Sequence, residues 1–171
     1  MNGRIMVITG DGKGKTTSAL GMALKAAGSG QRVYIAQFIK AGEYSEIKAL
    51  KKLSDLITVE QFGLGGFFGR NPTPQDIQAA RNGLEKVATV MSSGDYPVII
   101  LDEANVAIKY KLFSAQELLN IIAIKPENIK LIITGRAAAH DIIEKADQVF
   151  EIKAIKHYYE KGVNARIGID K

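Results

Sequence analysis

The sequence predicts a three-layer α/β protein, a mostly parallel β-sheet with helices on both faces. Three observations lead to that class. Short apolar runs alternate with longer helical patterns along most of the 171 residues, as they do when each strand returns to a parallel neighbour through a helix. The runs are apolar at nearly every position rather than at every second one, the mark of strands covered on both sides. The glycines, acids and bases of chemical interest stand just after the runs, where open parallel sheets hold their ligands.

The elements follow in order. Arg4–Thr9 (RIMVIT) reads as the first strand, and Lys15–Ala27 as a helix with apolar positions Ala19, Leu20, Ala23 and Leu24, closed by Gly28-Ser29-Gly30. Arg32–Phe38 is the second strand, Ser45–Leu53 a short basic helix and Ile57–Phe62 the third strand. After the glycine-rich stretch Gly63–Gly69, Thr73–Ser93 forms a long helix, opened by a Thr-Pro start and stopped by Gly94. Pro97–Leu101 is a buried strand that ends at Asp102-Glu103, and Ser114–Ile124 is helical. Lys130–Thr134 is a strand, Ala137–Ala146 a helix and Gln148–Ile152 a last strand, followed by a less regular tail. No linker or repeat divides the chain, so one domain over residues 1–171 is expected.

Composition narrows the function. With no cysteine, thiolate zinc sites, disulfide frameworks and cysteine nucleophiles are excluded. The net charge of +5 comes from lysines scattered among acids, without a basic stripe interleaved with aromatics, so nucleic acid is not the expected partner. No run approaches the roughly eighteen apolar residues of a membrane span. No membrane association is expected, and a cytoplasmic location is.

Thr9–Thr17 (TGDGKGKTT) lies between a strand and a helix, the setting of a phosphate-binding loop. Gly10, Gly12 and Gly14 let backbone N–H groups close on anionic oxygens, and the helix beginning at Lys15 adds its positive end. Lys15 offers a point charge, Lys13 a second cation, and the Thr16 hydroxyl a ligand for Mg²⁺. The usual loop begins with glycine five positions before Gly14; here that residue is Thr9. Asp102 and Glu103 stand where such proteins keep the acid that holds Mg²⁺. Because successive side chains of a strand face opposite ways, one of the two is expected to face the metal. Gly135-Arg136 ends another strand, and Arg136 could clasp an anion with two parallel hydrogen bonds. The class narrows to a P-loop NTPase-like, RecA-like fold.

The segments TGDGKGKTTSALGMALKAAG, QFIKAGEYSE, GFFGRNPTPQD, VIILDE, IITGRA, ADQVFEI, KH and GVNARIGID occur in this order. Together they resemble the P-loop class of ATP:corrinoid adenosyltransferases of the cobalamin pathway, over nearly the whole chain. The resemblance implies transfer of the 5′-deoxyadenosyl group of ATP to the cobalt of a reduced corrinoid (cob(I)alamin or cobinamide), with release of triphosphate. It implies Gly10, Asp11, Gly12, Lys13, Gly14, Lys15, Thr16 and Thr17 around the triphosphate, and Mg²⁺, or Mn²⁺ in its place, at Thr16 and Glu103 with Asp102 close by. Lys13, Lys15 and Glu103 are then the catalytic set. Gln37, Phe38 and Lys40 fall in the family's QFIKG-like segment, Phe67 where an aromatic packs near the corrinoid, and Arg136 within reach of a phosphate. A homodimer and a reductant such as a flavoprotein are further implications. The chain departs from the family pattern at Gly69, where a tryptophan is usual, and at Ala41, with the glycine one position later. A P-loop kinase or ATPase of other specificity and a non-catalytic nucleotide or corrinoid sensor are the competing readings. The absence of cysteine counts against a kinase with a zinc lasso.

Overall fold

The computed structural model describes residues 4–65, 70–156, 166 and 168. Twelve elements run in the order β1 (Ile5–Thr9), α1 (Lys15–Gly28), β2 (Val33–Gln37), α2 (Ser45–Lys51), β3 (Ile57–Gln61), α3 (Pro74–Ser93), β4 (Val98–Asp102), α4 (Ala104–Lys109), α5 (Ala115–Ala123), β5 (Lys130–Thr134), α6 (His140–Lys145) and β6 (Gln148–Glu151). The strands form one sheet in the order β3-β2-β4-β5-β1-β6, and every neighbouring pair is parallel. One strand, β5, therefore separates β1 from β4.

Alternation along the strands divides the apolar side chains between two layers. Met6 and Ile8, Val33 and Ile35, and Val98 and Ile100 pack beneath α1 and α2 against Ala19, Leu20, Ala23 and Leu50. Ile5 and Val7, Tyr34 and Ala36, and Ile99 and Leu101 face α3 to α6 through Ala80, Leu84, Val87, Leu118 and Ile142. Four strands are buried at every or nearly every position, which is why they carry no polar alternation. The small residues Ala19, Ala23 and Ala27 let α1 lie close over the sheet, in contact with β1, β2, β4 and β5.

Two helices start on reciprocal capping boxes. The Thr73 hydroxyl accepts from the Asp76 N–H while Asp76 accepts from the Thr73 N–H, with Pro74 at the first position. Ser114 and Glu117 repeat the arrangement at α5. The Arg70 guanidinium adds a two-pronged bond to the buried Asp76, at 2.6 and 3.0 Å. This fixes the chain as it enters α3 and holds the Asp76 carboxyl well below the usual range, the Thr73 bonds adding to the effect of Arg70.

Two local differences from the sequence reading have physical causes. Helix α6 begins at His140 rather than Ala137 because Ala137 has φ 53°, a left-handed conformation outside the helix. Helix α4 was not foreseen, since six residues are too few to show a 3.6-residue period. Among the described residues no helix is long and apolar enough to cross a membrane.

Candidate functional site

The carboxyl ends of β1, β2, β4 and β5 bring the sequence-derived residues together. The turn after β1 is stitched to the chain leaving β6. The Ile152 N–H donates to the Thr9 carbonyl at 2.8 Å, and the Gly12 N–H donates to the Ile152 carbonyl at 2.7 Å. A side chain on Gly10 would meet that carbonyl at 2.4 Å, and Gly10 itself holds φ 96°, so both space and backbone demand glycine there. Gly14 is the N-cap of α1 in a left-handed conformation. Behind it the Ser18 N–H donates to the Gly14 carbonyl, closing the first helical turn.

Lys15 is buried, and its ammonium folds back to donate to the Gly12 carbonyl at 2.6 Å. Burial and the Arg136 charge lower its pKa, opposed by Glu103 and Asp11. Arg136, Glu103 and Asp11 are therefore the charges that act on this cation. Lys13, Asp11 and Thr17 are exposed on the turn, and Arg136 is exposed at its far side.

Asp102 is fully buried at the end of β4. Its Oδ1 accepts from the Thr16 hydroxyl and from the Thr134 hydroxyl, each at 2.8 Å. Its Oδ2 accepts from the Gln37 amide at 2.9 Å and lies 3.6 Å from the Lys40 ammonium. Lys40 also donates to Glu46 at 3.0 Å. Burial opposes the Lys40 charge, but Asp102, Glu46 and Glu103 outweigh it and raise the pKa above the usual lysine value.

The expectation that one of the two acids faces the metal rested on strand alternation, and the Glu103 backbone departs from that geometry. Strand alternation ends at Asp102, because Glu103 has φ 61° and serves as N-cap of α4. Its N–H donates to the Thr134 hydroxyl at 3.0 Å. Its carboxyl is raised above the usual value, chiefly by burial and then by Asp102, while Lys40, Lys15 and Arg136 pull the other way. Lys40 thus acts on both acids.

The donor set fits a hard divalent ion. Thr16 spends its hydrogen on Asp102, which leaves its oxygen lone pairs for a cation, and the Asp102 carboxylate stands beside it. Phe38, in the segment singled out by resemblance, is a core ring instead, stacked edge-on to Phe113 with centroids 5.2 Å apart. Phe67 and Phe68 lie outside the described residues. Sequence reasoning missed Thr134 as a partner of Asp102 and Glu46 as a partner of Lys40. The first had a signal, a hydroxyl ending the strand beside Gly135. The second had none, since Glu46 sits in an ordinary charged helix start.

A glycine-lysine-threonine turn joining β1 to α1, with its threonine bonded to an acid two strands away, defines a P-loop nucleotide-binding protein of RecA-like fold. The crystal structure of a KaiC-like protein from Pyrococcus horikoshii is similar in fold, with TM-score 0.64 and 18% identity, covering 89% of this chain and 73% of that one. The chain belongs to the ATP:corrinoid adenosyltransferase family BtuR/CobO/CobP, whose profile matches residues 1–170. Corrinoid adenosyltransferases of Escherichia coli K12 and Pseudomonas aeruginosa are 32% and 31% identical to it. Each alignment covers 98% of this chain, and 85% and 83% of the respective relative. The corrinoid adenosyltransferase of Salmonella typhimurium is 30% identical over the same 98% of this chain and 85% of its own length.

Proposed function

We propose that the turn from Gly10 to Thr17 grips the triphosphate of ATP and leaves the 5′ carbon open to a reduced corrinoid. The family's reaction is transfer of the adenosyl group of ATP to the corrinoid in cobalamin synthesis. The cobalt(I) electron pair forms a bond to C5′ while the C5′–O bond breaks, and triphosphate leaves with the bonding pair. A metal nucleophile needs no protein base, so the protein's part is positioning and charge stabilisation. Lys15 is placed to turn from the Gly12 carbonyl toward phosphate oxygens, and Lys13 and Arg136 extend the positive rim. Loop N–H groups and the start of α1 add partial positive charge. Thr16, Asp102 and Glu103 would hold Mg²⁺ or Mn²⁺, which when bound neutralises phosphate charge.

The observation that carries the reading is the 2.8 Å bond from Thr16 to the buried Asp102 beside the buried Lys15. Gln37 and Lys40 join the same reading through their contacts with Asp102. Phe67 belongs to this reading as the ring beside the corrinoid. A cytoplasmic homodimer, supplied with cobalt(I) by a reductant such as a flavoprotein, completes it.

The test is anaerobic mixing of chemically reduced cobalamin, MgATP and protein. The expected result is loss of the cobalt(I) spectrum, a light-sensitive cobalt–carbon product and intact triphosphate. ADP with a phosphorylated acceptor would place the chain among P-loop kinases. Tight binding of both substrates without cobalt–carbon bond formation would make it a sensor.

A further inference from the structure

A row of side chains crosses the carboxyl rim of the sheet. Gln61, Gln37 and Asp102 are the register partners at the ends of β3, β2 and β4, so three adjacent strands present them side by side. Gln61 donates to the Gln37 carbonyl oxygen at 3.0 Å, and Gln37 donates to Asp102 at 2.9 Å. Thr134, on the next strand, donates to the other oxygen of Asp102. The row therefore spans four strands and passes through the acid that Thr16 contacts.

Its polarity is fixed from one end. Asp102 accepts from all these partners, so Gln37 must turn its NH₂ toward Asp102 and its carbonyl toward Gln61. Gln61 must then offer its own NH₂. The amide of Gln61 also accepts from the Gly42 N–H at 3.0 Å and donates to the Gly42 carbonyl at 3.1 Å. Both polar groups of one loop residue are thus paired with one side chain. Gly42 lies two residues after Lys40, whose ammonium lies 3.6 Å from the same Asp102 oxygen that accepts from Gln37. Gln61 consequently meets Asp102 by two routes, through Gln37 and through the loop that carries Lys40.

We infer that Gln61 is a positioning residue of the nucleotide–metal site: it sets the orientation of the Gln37 amide and ties down the Lys40 loop, so that the Asp102 carboxylate is held in the pose that Thr16 and a divalent ion require. The inference rests on the reading of Thr16 and Asp102 as the metal-holding pair. Outer partners that orient metal ligands commonly alter metal affinity by about 10–100-fold when removed.

The experiment measures ATP affinity by calorimetry on the full chain, once with Mg²⁺ and once in EDTA. Gln61→Met removes the amide at nearly equal size, and affinity for MgATP should fall about tenfold while that for ATP in EDTA stays within twofold. Gln61→Glu should do worse with Mg²⁺, because it presents acceptors to the Gln37 and Gly42 carbonyls. Gln37→Met combined with Gln61→Met should lose less than the product of the two single losses, since the residues share a route. Equal losses with and without Mg²⁺, or fully multiplicative losses, would make Gln61 merely structural and overturn the inference. A wild-type measurement does not depend on the variants folding. By reciprocity, MgATP should slow hydrogen exchange at the Gly42 N–H about tenfold, and no change there would count equally against it. If wild-type affinity is the same in EDTA as in Mg²⁺, the metal reading itself fails. If wild type depends on Mg²⁺ and Gln61→Met does so unchanged, only the role of Gln61 fails.

Discussion

Alanine at Gly10 and alanine at Gly14 impose similar backbone strain but very different collisions, so their comparison isolates what the β6 staple contributes. Both residues lie at positive φ, 96° and 115°, and holding an alanine there costs about 1–3 kcal/mol. At Gly14 nothing stands within 4 Å of the added carbon, so strain is the whole cost. At Gly10 the new carbon would sit 2.4 Å from the Ile152 carbonyl oxygen and 2.8 Å from its nitrogen. That backbone cannot yield without releasing its bonds to Thr9 and Gly12, each contributing about 0.5–1.5 kcal/mol. Gly10→Ala is therefore expected to cost about 4 kcal/mol and Gly14→Ala about 2 kcal/mol. For a chain of this size the first corresponds to a midpoint lower by about 8–16 °C. Urea unfolding at 25 °C with matched slopes is the assay. ATP affinity should fall in both variants, because both reshape the turn. Equal destabilisation within about 0.5 kcal/mol, or a larger loss at Gly14, would refute the claim that the turn is held by the strand-end of β6.

Three further outcomes are expected. Lys15→Ala should lower adenosyl transfer by at least about 100-fold, the scale of losing one preorganised charge at a reacting group, while far-ultraviolet dichroism stays unchanged; near-normal turnover would remove Lys15 from the phosphate site. Glu103→Gln should raise the melting temperature near neutral pH in EDTA. The Glu103 carboxyl is raised in the folded state, so the stability tied to its proton is full below the ordinary value of 4.5 and is lost as pH rises through the folded value. The advantage of Gln should shrink toward pH 4, and an advantage that grows on acidification would contradict the assignment. Asp76→Asn should destabilise by about 1–2 kcal/mol through loss of the α3 capping box. Because the Asp76 carboxyl is depressed, chiefly by Arg70, the difference between wild type and variant should narrow as pH falls below 3.8, which a pH series of urea melts would show.

The sheet was legible because its strands are buried on both faces. Runs such as VIIL and LIIT carry little besides β-branched and aliphatic residues, and the helices between them begin at Thr-Pro-Gln-Asp and Ser-Ala-Gln-Glu signals that the capping boxes confirm. The glycine-rich turn between β1 and α1 was legible from glycine and lysine spacing alone. The pairing of distant strands was not. That Asp102 meets Thr16, Gln37 and Thr134 depends on β4 lying between β2 and β5, and nothing in the local sequence fixes strand order. The backbone at Glu103 was illegible for a related reason. Its left-handed backbone follows from the immediate start of α4, a helix too short to be read from periodicity.

The chemistry of the network suits the family's nucleophile. Asp102 is engaged by two hydroxyls, an amide and an ammonium, all of them donors or cations, so both of its oxygens are already occupied. Lys15 and Lys40 are likewise held, one by a backbone carbonyl and one by carboxylates. A hydrolase or kinase must manage the proton of an attacking hydroxyl or water. A cobalt electron pair brings no proton, so a site that only holds charge and geometry is sufficient. The same reasoning explains why rigidity at this rim is built from side chains of adjacent strands. On the proposed reading there is no base to move, so freedom in Asp102 would loosen only the grip on the leaving triphosphate, and the bonds from Thr16, Thr134 and Gln37 limit that freedom.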